Sequence, residues 1–114
     1  MAKPSKETRI KKVRKKLESL CEGLSEKKKA VALPLIEQAA FMQITLADLQ
    51  KDILGEGCIE EYQNGKNQSG MKATASLQAY NAMVKNFAGI CERLDRILPE
   101  GIGGSKLMSF LTDD

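Results

Sequence analysis

The stretch that decides the fold runs from Thr74 to Pro99 and reads TASLQAYNAMVKNFAGICERLDRILP. Its apolar and aromatic residues recur at alternating steps of three and four, at Leu77, Tyr80, Val84, Phe87, Cys91, Leu94 and Leu98. This spacing predicts one continuous face of a long helix, here over three heptads. We expect Thr74 or Ser76 to cap the start of this helix and Pro99 to end it.

A flank beside this face makes it wider than the seam of a two-stranded coiled coil. Met83, Ile90 and Ile97 follow one another at a spacing of seven. Such a width favours a helix bundle or an interface between subunits. The sequence favours neither packing of this face within the chain nor self-association through it over the other.

Before it, a longer segment predicts a central helix. Ser25 followed by Glu26 indicates a helix start, and the apolar period then continues through Ala32, Leu35, Ile36, Ala39, Met42, Leu46, Leu49 and Ile53. Pro34 fits either the first turn of a helix that begins near Ala32 or a bend in one that begins at Ser25. We expect one continuous helix with a bend, in contact with the protein on two sides.

Between Gly55 and Thr74 the helical period is lost and glycine and asparagine recur. Asn64-Gly65 is the turn dipeptide of a hairpin, with arms at Ile59–Tyr62 and Lys66–Met71 that do not alternate cleanly. We expect an ordered loop or a short hairpin. Connections of this length in a compact domain are often functional.

The N-terminal segment combines an apolar stripe with a strong positive charge. Ser5 is the expected cap, and Ile10, Val13, Leu17, Leu20 and Leu24 predict a helix to about Cys21 or Glu22, with Gly23 as its stop. Residues 1–30 hold 11 Lys or Arg against 4 Glu, whereas residues 31–114 hold 7 against 11 Asp or Glu. Ten of these eleven cations form two groups, Lys6, Arg9, Lys11, Lys12, Arg14, Lys15 and Lys16 on the helix, and Lys27, Lys28 and Lys29 as a second patch.

Like charges around one helix repel, and a phosphate backbone would relieve that repulsion. We therefore expect these ten cations to contact nucleic acid, without a motif for sequence-specific readout. A solvated basic tail is the plainer alternative. An anionic membrane surface is a weaker one, because the apolar stripe carries no aromatic residue.

The composition argues against catalysis and against a resident cofactor. There is no His in the chain, so the usual nucleophilic triads are excluded. The sequence also has no glycine-rich phosphate-binding loop. Cys21, Cys58 and Cys91 are too far apart for a disulfide framework or a zinc site and fit a reducing cytoplasm. Glu60-Glu61 could hold a divalent ion, but adjacent acids in a loop are more often solvated. We expect neither a signal peptide nor a membrane span.

A chain of 114 residues supports one modest core. The expected fold is all-α: a basic N-terminal helix, a long central helix, an ordered loop or short hairpin, and a long C-terminal helix, in an oligomeric assembly. We divide it into residues 1–24, the basic helix; 25–99, the helical and oligomerisation core; and 100–114, a flexible tail.

The order of these features resembles that of phage and prophage terminase small subunits. The likeness covers about residues 25–99, and its most specific parts are the loop Glu61-Tyr62-Gln63-Asn64-Gly65 with Gly70, and Tyr80-Asn81-Ala82-Met83-Val84-Lys85-Asn86 leading to Leu98-Pro99. Leu35 to Met42 and Leu46 to Leu49 add to it. The chain departs from many such proteins in lacking a clear helix-turn-helix.

The resemblance implies a ring-shaped homo-oligomer in the host cytoplasm that binds double-stranded viral DNA and presents it to the large terminase subunit, which cuts and pumps. It implies subunit contacts through Leu46, Leu49, Leu77, Tyr80, Val84, Phe87 and Leu94. It also implies docking of the large subunit on the tail, through Leu107, Phe110 and Leu111. The alternative is a small helical phage interaction or regulatory protein that binds another protein through its third helix.

Overall fold

The structure is a computed structural model that describes residues 4–63 and 69–98. In chain order its elements are α1 (Lys6–Ser19), α2 (Glu26–Glu56), β1 (Ile59–Gln63), β2 (Ser69–Ala73) and α3 (Ala75–Ile97). The expected all-α fold is confirmed, with one small hairpin between the two long helices. The predicted tail, with Leu107, Phe110 and Leu111, lies outside the described residues.

All three helices begin at hydroxyl residues that the sequence marks as caps. The side chains of Ser5, Ser25 and Thr74 each accept a hydrogen bond from the backbone amide three residues further on, at 3.2, 3.2 and 3.3 Å. These bonds satisfy amides that have no partner inside the helix. The caps fix where each helix starts.

The helix ends match the prediction less closely. α1 ends at Ser19, short of the predicted Cys21 or Glu22, and the chain then turns with Gly23 at a φ of 90°. A side chain is disfavoured at that angle, so glycine suits the turn. α2 runs without interruption past Pro34, so the expected continuity is confirmed, although Pro34 has no N–H to donate to the carbonyl of Ala30. The expected bend stays a prediction.

The core lies where all three helices meet. It is formed by Leu17 of α1, by Leu20 and Cys21 just after α1, by Ala32, Ile36 and Ala39 of α2, and by Cys91, Leu94 and Leu98 at the end of α3. Ala32 and Ala39 are fully buried. Their small side chains allow the neighbouring helices to approach closely, and they explain why the first half of α2 is rich in alanine.

The expected hairpin is present, but its register is not the one that an Asn64-Gly65 turn would give. β1 and β2 pair antiparallel with Ile59 opposite Ala73 and Gln63 opposite Ser69. A two-residue turn at Asn64-Gly65 would instead place Gln63 opposite Lys66, and residues 64–68 lie outside the described residues. Thr74 reinforces this register, since its amide donates to the carbonyl of Cys58 at 2.9 Å.

The molecule is elongated because α2 is long. α1 has 14 residues and α2 has 31, which at 1.5 Å per residue gives about 21 and 46 Å. α1 therefore accompanies only part of α2. The principal extents are 63 × 36 × 22 Å. We call the part where α1 packs the bundle end, and residues 50–61 and 70–85 the distal end.

Candidate nucleic-acid interface

The basic helix α1 is an integral part of the core. Leu17 is 1% exposed, and Leu20 and Cys21, just beyond the helix, are also buried against α2 and α3. Val13 packs at the edge of the same cluster. The helix is therefore held by its apolar stripe, and its lysines project from a folded surface.

Arg9, Arg14 and Lys6 of the predicted interface contact the protein itself. Arg9 Nη1 donates to Asp48 Oδ1 at 2.8 Å, which joins α1 to the second half of α2. Arg14 lies 3.5 Å from Glu18 and 3.9 Å from Glu37. Lys6 Nζ stands 5.2 Å from the centre of the Phe41 ring. These contacts orient α1 on α2.

The remaining cations divide by exposure. Lys11, Lys12, Lys15, Lys27 and Lys28 are exposed, whereas Lys16 and Lys29 are half-buried. Lys11 and Lys15 are four residues apart and Lys12 and Lys15 three, so the exposed lysines of α1 lie together on one side of the helix. We call Lys11, Lys12 and Lys15 the lysine patch. It is the most concentrated exposed charge on α1.

Side chains that could bind a metal ion do not cluster in the described residues. Within residues 4–63 and 69–98, no group of three His, Cys, Asp or Glu side chains could hold a metal ion. Glu60 pairs with Lys72 on the facing strand at 3.6 Å, and Glu61, the next residue of β1, projects to the opposite face of the hairpin. The two adjacent acids therefore point apart.

The three cysteines are free thiols in two environments. Cys21 and Cys91 are buried and Cys58 is exposed. Burial raises the pKa of the Cys91 thiol to about 11. Burial, with a smaller effect from the nearby Glu18, also raises the pKa of Cys21. A raised pKa keeps a thiol protonated and unreactive, so Cys21 and Cys91 act as small core residues.

The predicted subunit contacts also fall into two groups. Leu46 and Leu94 are buried within the chain, and Leu94 belongs to its core. Leu49, Leu77, Tyr80, Val84 and Phe87 are half-buried. The face of α3 is thus covered by its own chain towards Leu98 and remains partly open towards Leu77.

Sequence reasoning missed an apolar groove at the distal end. The groove has a volume of about 360 Å³ and is lined by Gln50, Ile53, Leu54, Leu77, Tyr80 and Asn81. Gln50 Nε2 donates to the Tyr80 hydroxyl across it at 3.2 Å. The available signal was the pair Ile53-Leu54, because two consecutive apolar residues on a helix cannot both follow one narrow stripe.

Helix α2 is also long and apolar enough to cross a membrane by length and composition. The core helix of a soluble protein passes the same test, and Ala32, Ile36, Ala39, Ala40, Ile44 and Leu46 of α2 are buried within this chain. The expectation of no membrane span therefore stays a prediction.

Comparison with known proteins adds no relative. No family model, no curated protein and no solved structure matches the chain. The choice of function therefore depends on the surfaces described above.

Proposed function

We propose that this protein binds double-stranded DNA through α1 and serves as an adaptor in viral genome packaging, in the manner of a terminase small subunit. In that role it assembles with copies of itself in the host cytoplasm and hands DNA to the large terminase subunit. The observation that carries the proposal is the lysine patch, which stands exposed on a helix anchored in the core by Leu17.

The anchoring matters because ordering a flexible tail on DNA costs conformational entropy. Buried Leu17 and the Arg9–Asp48 ion pair already fix α1 on the fold. Binding then only has to exchange solvent and counterions at lysines whose backbone is in place. A solvated basic tail, the plainer alternative, would lack these tertiary contacts.

Two kinds of cation then serve two purposes. Arg9 and Arg14 pair with acids of the chain and orient α1. Lys11, Lys12 and Lys15, with Lys27 and Lys28 near the start of α2, supply the exposed charge for phosphates. Contacts of this kind give affinity without reading bases, in agreement with the lack of a base-reading motif.

The packaging role comes from the sequence resemblance rather than from charge alone. A small subunit needs a DNA-binding surface and a surface for assembly, and this chain has basic and apolar surfaces at different ends. The large subunit is the proposed partner of the tail through Leu107, Phe110 and Leu111.

The test is DNA affinity as a function of salt, measured by fluorescence anisotropy on a short duplex. Counterion release predicts a linear fall of log K with log salt, with a slope of about −0.9 for each phosphate neutralised. If all five exposed lysines near α1 make contact, the slope is about −4 to −5 per copy. Undetectable binding at about 50 mM salt would refute the DNA-binding proposal.

A matched pair of double variants locates the site. Lys11→Gln with Lys15→Gln removes two exposed charges from α1, and Lys51→Gln with Lys85→Gln removes two exposed charges elsewhere. We expect the first pair to reduce the salt slope by about 2 and the second to leave it nearly unchanged. Equal effects would mean that net charge, and not α1, determines binding.

A second candidate function is favoured by the groove. Its lining residues Leu77 and Tyr80 belong to the third helix, so a small regulatory protein could bind another protein there. Absence of DNA binding, combined with an intact fold by circular dichroism, would favour this function over packaging.

A further inference from the structure

The three most exposed large apolar side chains of the described residues lie at the distal end. Leu54, which lines the groove, is 87% exposed, and Ile59 and Met71 of the hairpin are 60% and 66% exposed. Ile59 and Met71 lie on the same hairpin face, because Ile59 is opposite Ala73, and Met71 is two residues from Ala73 along β2. We call the groove together with Ile59 and Met71 the distal surface.

The groove continues an apolar face of α3 that the chain covers elsewhere. On α3, Cys91 and Leu94 are buried against α1 and α2, whereas Leu77 and Tyr80 of the same face line the open groove. The change follows from the 14 residues of α1, which is too short to accompany α2 to its end. A third apolar element is missing from the distal end of the described structure.

Charge indicates what can cover it. The bundle end carries the cation excess of the first 30 residues, so two copies repel each other there. The distal end is nearly balanced, with Lys51, Lys72 and Lys85 against Asp52, Glu56, Glu60 and Glu61. A nucleic acid or an anionic membrane would favour a cation excess. An identical copy needs a surface without one, and this end provides it.

Shape points to the same partner. The distal surface contains an open groove of about 360 Å³, and Leu54, one of the residues that line it, is 87% exposed and therefore accessible to the groove of a second copy. A contact between identical molecules needs self-complementary features of this kind. Removing exposed leucine, isoleucine and methionine from water favours the association of two such surfaces.

We propose that a second copy of this chain covers the distal surface, with Leu54 at the centre of the contact. This deepens the proposed function by naming its assembly surface, and it rests on that function only for its biological purpose. The contact is apolar and near neutral, so it responds to salt differently from DNA binding. Failure of one proposal is therefore distinguishable from failure of the other.

The first experiment measures the mass of the full chain by light scattering and sedimentation equilibrium. We expect a multiple of the 12.5 kDa chain mass. Leu54→Glu should raise the dissociation constant by about tenfold or more, because the substitution occurs in both copies and places like charges at the contact. A mass of one chain at the highest soluble concentration would overturn the proposal.

The matched control is Val31→Glu. Val31 is an exposed apolar residue of α2 at the bundle end, 55% exposed, and it receives the same new charge. We expect no change in its self-association, and both variants to keep the helical circular dichroism of the parent. Equal weakening by both variants, or no weakening by Leu54→Glu, would place the contact elsewhere.

Salt separates the two surfaces. Raising salt should weaken DNA binding steeply and leave self-association unchanged or slightly stronger. The Lys11 and Lys15 double variant should assemble normally, and Leu54→Glu should retain the lysine patch. Dissociation of the assembly as salt rises would overturn the proposal of an apolar contact.

Cys58 provides an independent probe in the unmodified sequence. It is exposed and immediately precedes β1, whereas Cys21 and Cys91 are buried. Maleimide dyes should therefore label Cys58 selectively. Mixing donor-labelled and acceptor-labelled chains should give energy transfer that Leu54→Glu reduces and Val31→Glu does not. Assembly without such transfer would exclude the distal surface as the contact.

Discussion

The bundle end and the distal end are built from the same two long helices, yet they differ in what covers them. At the bundle end α1 supplies Leu17, and the facing residues Ile36 and Leu94 are buried. At the distal end a two-stranded hairpin follows α2, and Leu54 remains 87% exposed. The comparison indicates that the length of α1 decides which part of α2 and α3 is covered by a third helix.

The largest expected effect tests the bundle end. Leu17→Ala removes a side chain that is 1% exposed and joins α1 to the core, and such truncations cost about 2 to 5 kcal/mol of unfolding free energy. The matched change at the distal end, Leu54→Ala, should alter the stability of the monomer by less than about 0.5 kcal/mol. Urea unfolding measures both. Similar losses would remove the distinction between the two ends.

The next effect concerns the junction that orders the distal end. Thr74 Oγ1 accepts from the Leu77 amide and donates to the carbonyl of Gly57 at 3.1 Å, and the residue is buried. Thr74→Ala should cost about 0.5 to 2 kcal/mol through the lost cap, and Thr74→Ser should retain most of that stability. Thermal unfolding of the two variants makes the comparison. Equal stability of Ala and Ser would show that the hydroxyl contributes nothing.

The smallest effect on stability is expected from Asp48→Asn. Its partner Arg9 is about one-third exposed, as is Asp48 itself, and pairs of this exposure contribute about 0 to 1 kcal/mol. The change also removes a negative charge beside α1 and releases Arg9 for phosphate. We therefore expect DNA affinity to rise a few-fold at low salt. Anisotropy titration checks this, and reduced affinity would mean that the orientation of α1 by the Arg9–Asp48 pair matters more for DNA binding than the charge released.

The helices were predictable because their signals are local. Ser5, Ser25 and Thr74 act within three residues of their own positions, and the apolar period of α3 is contained in one segment. The hairpin was predictable only as a possibility. Asn64-Gly65 suggests a two-residue turn, but pairing of Gln63 with Ser69 sets a different register.

The candidate site was predictable in its charge and not in its detail. The excess of Lys and Arg is evident in the sequence, but the pairing of Arg9 with Asp48, 39 residues away, depends on how α1 lies along α2. The groove depends on the same alignment. Leu77 and Tyr80 belong to the regular apolar face of α3. They line an open groove because α1 is too short to cover this part of the face.

The lysine patch lies beside the middle of α2, because Arg14, next to Lys15, is 3.9 Å from Glu37, and Leu54 is 17 residues further along the helix, about 25 Å. In physiological salt, charges are screened beyond about 8 Å, so a polyanion bound near the lysine patch exerts little direct force on the distal end. The two binding events would then be energetically independent. Assembly would strengthen DNA binding by presenting several basic helices at a high effective concentration, without any change in the affinity of each one.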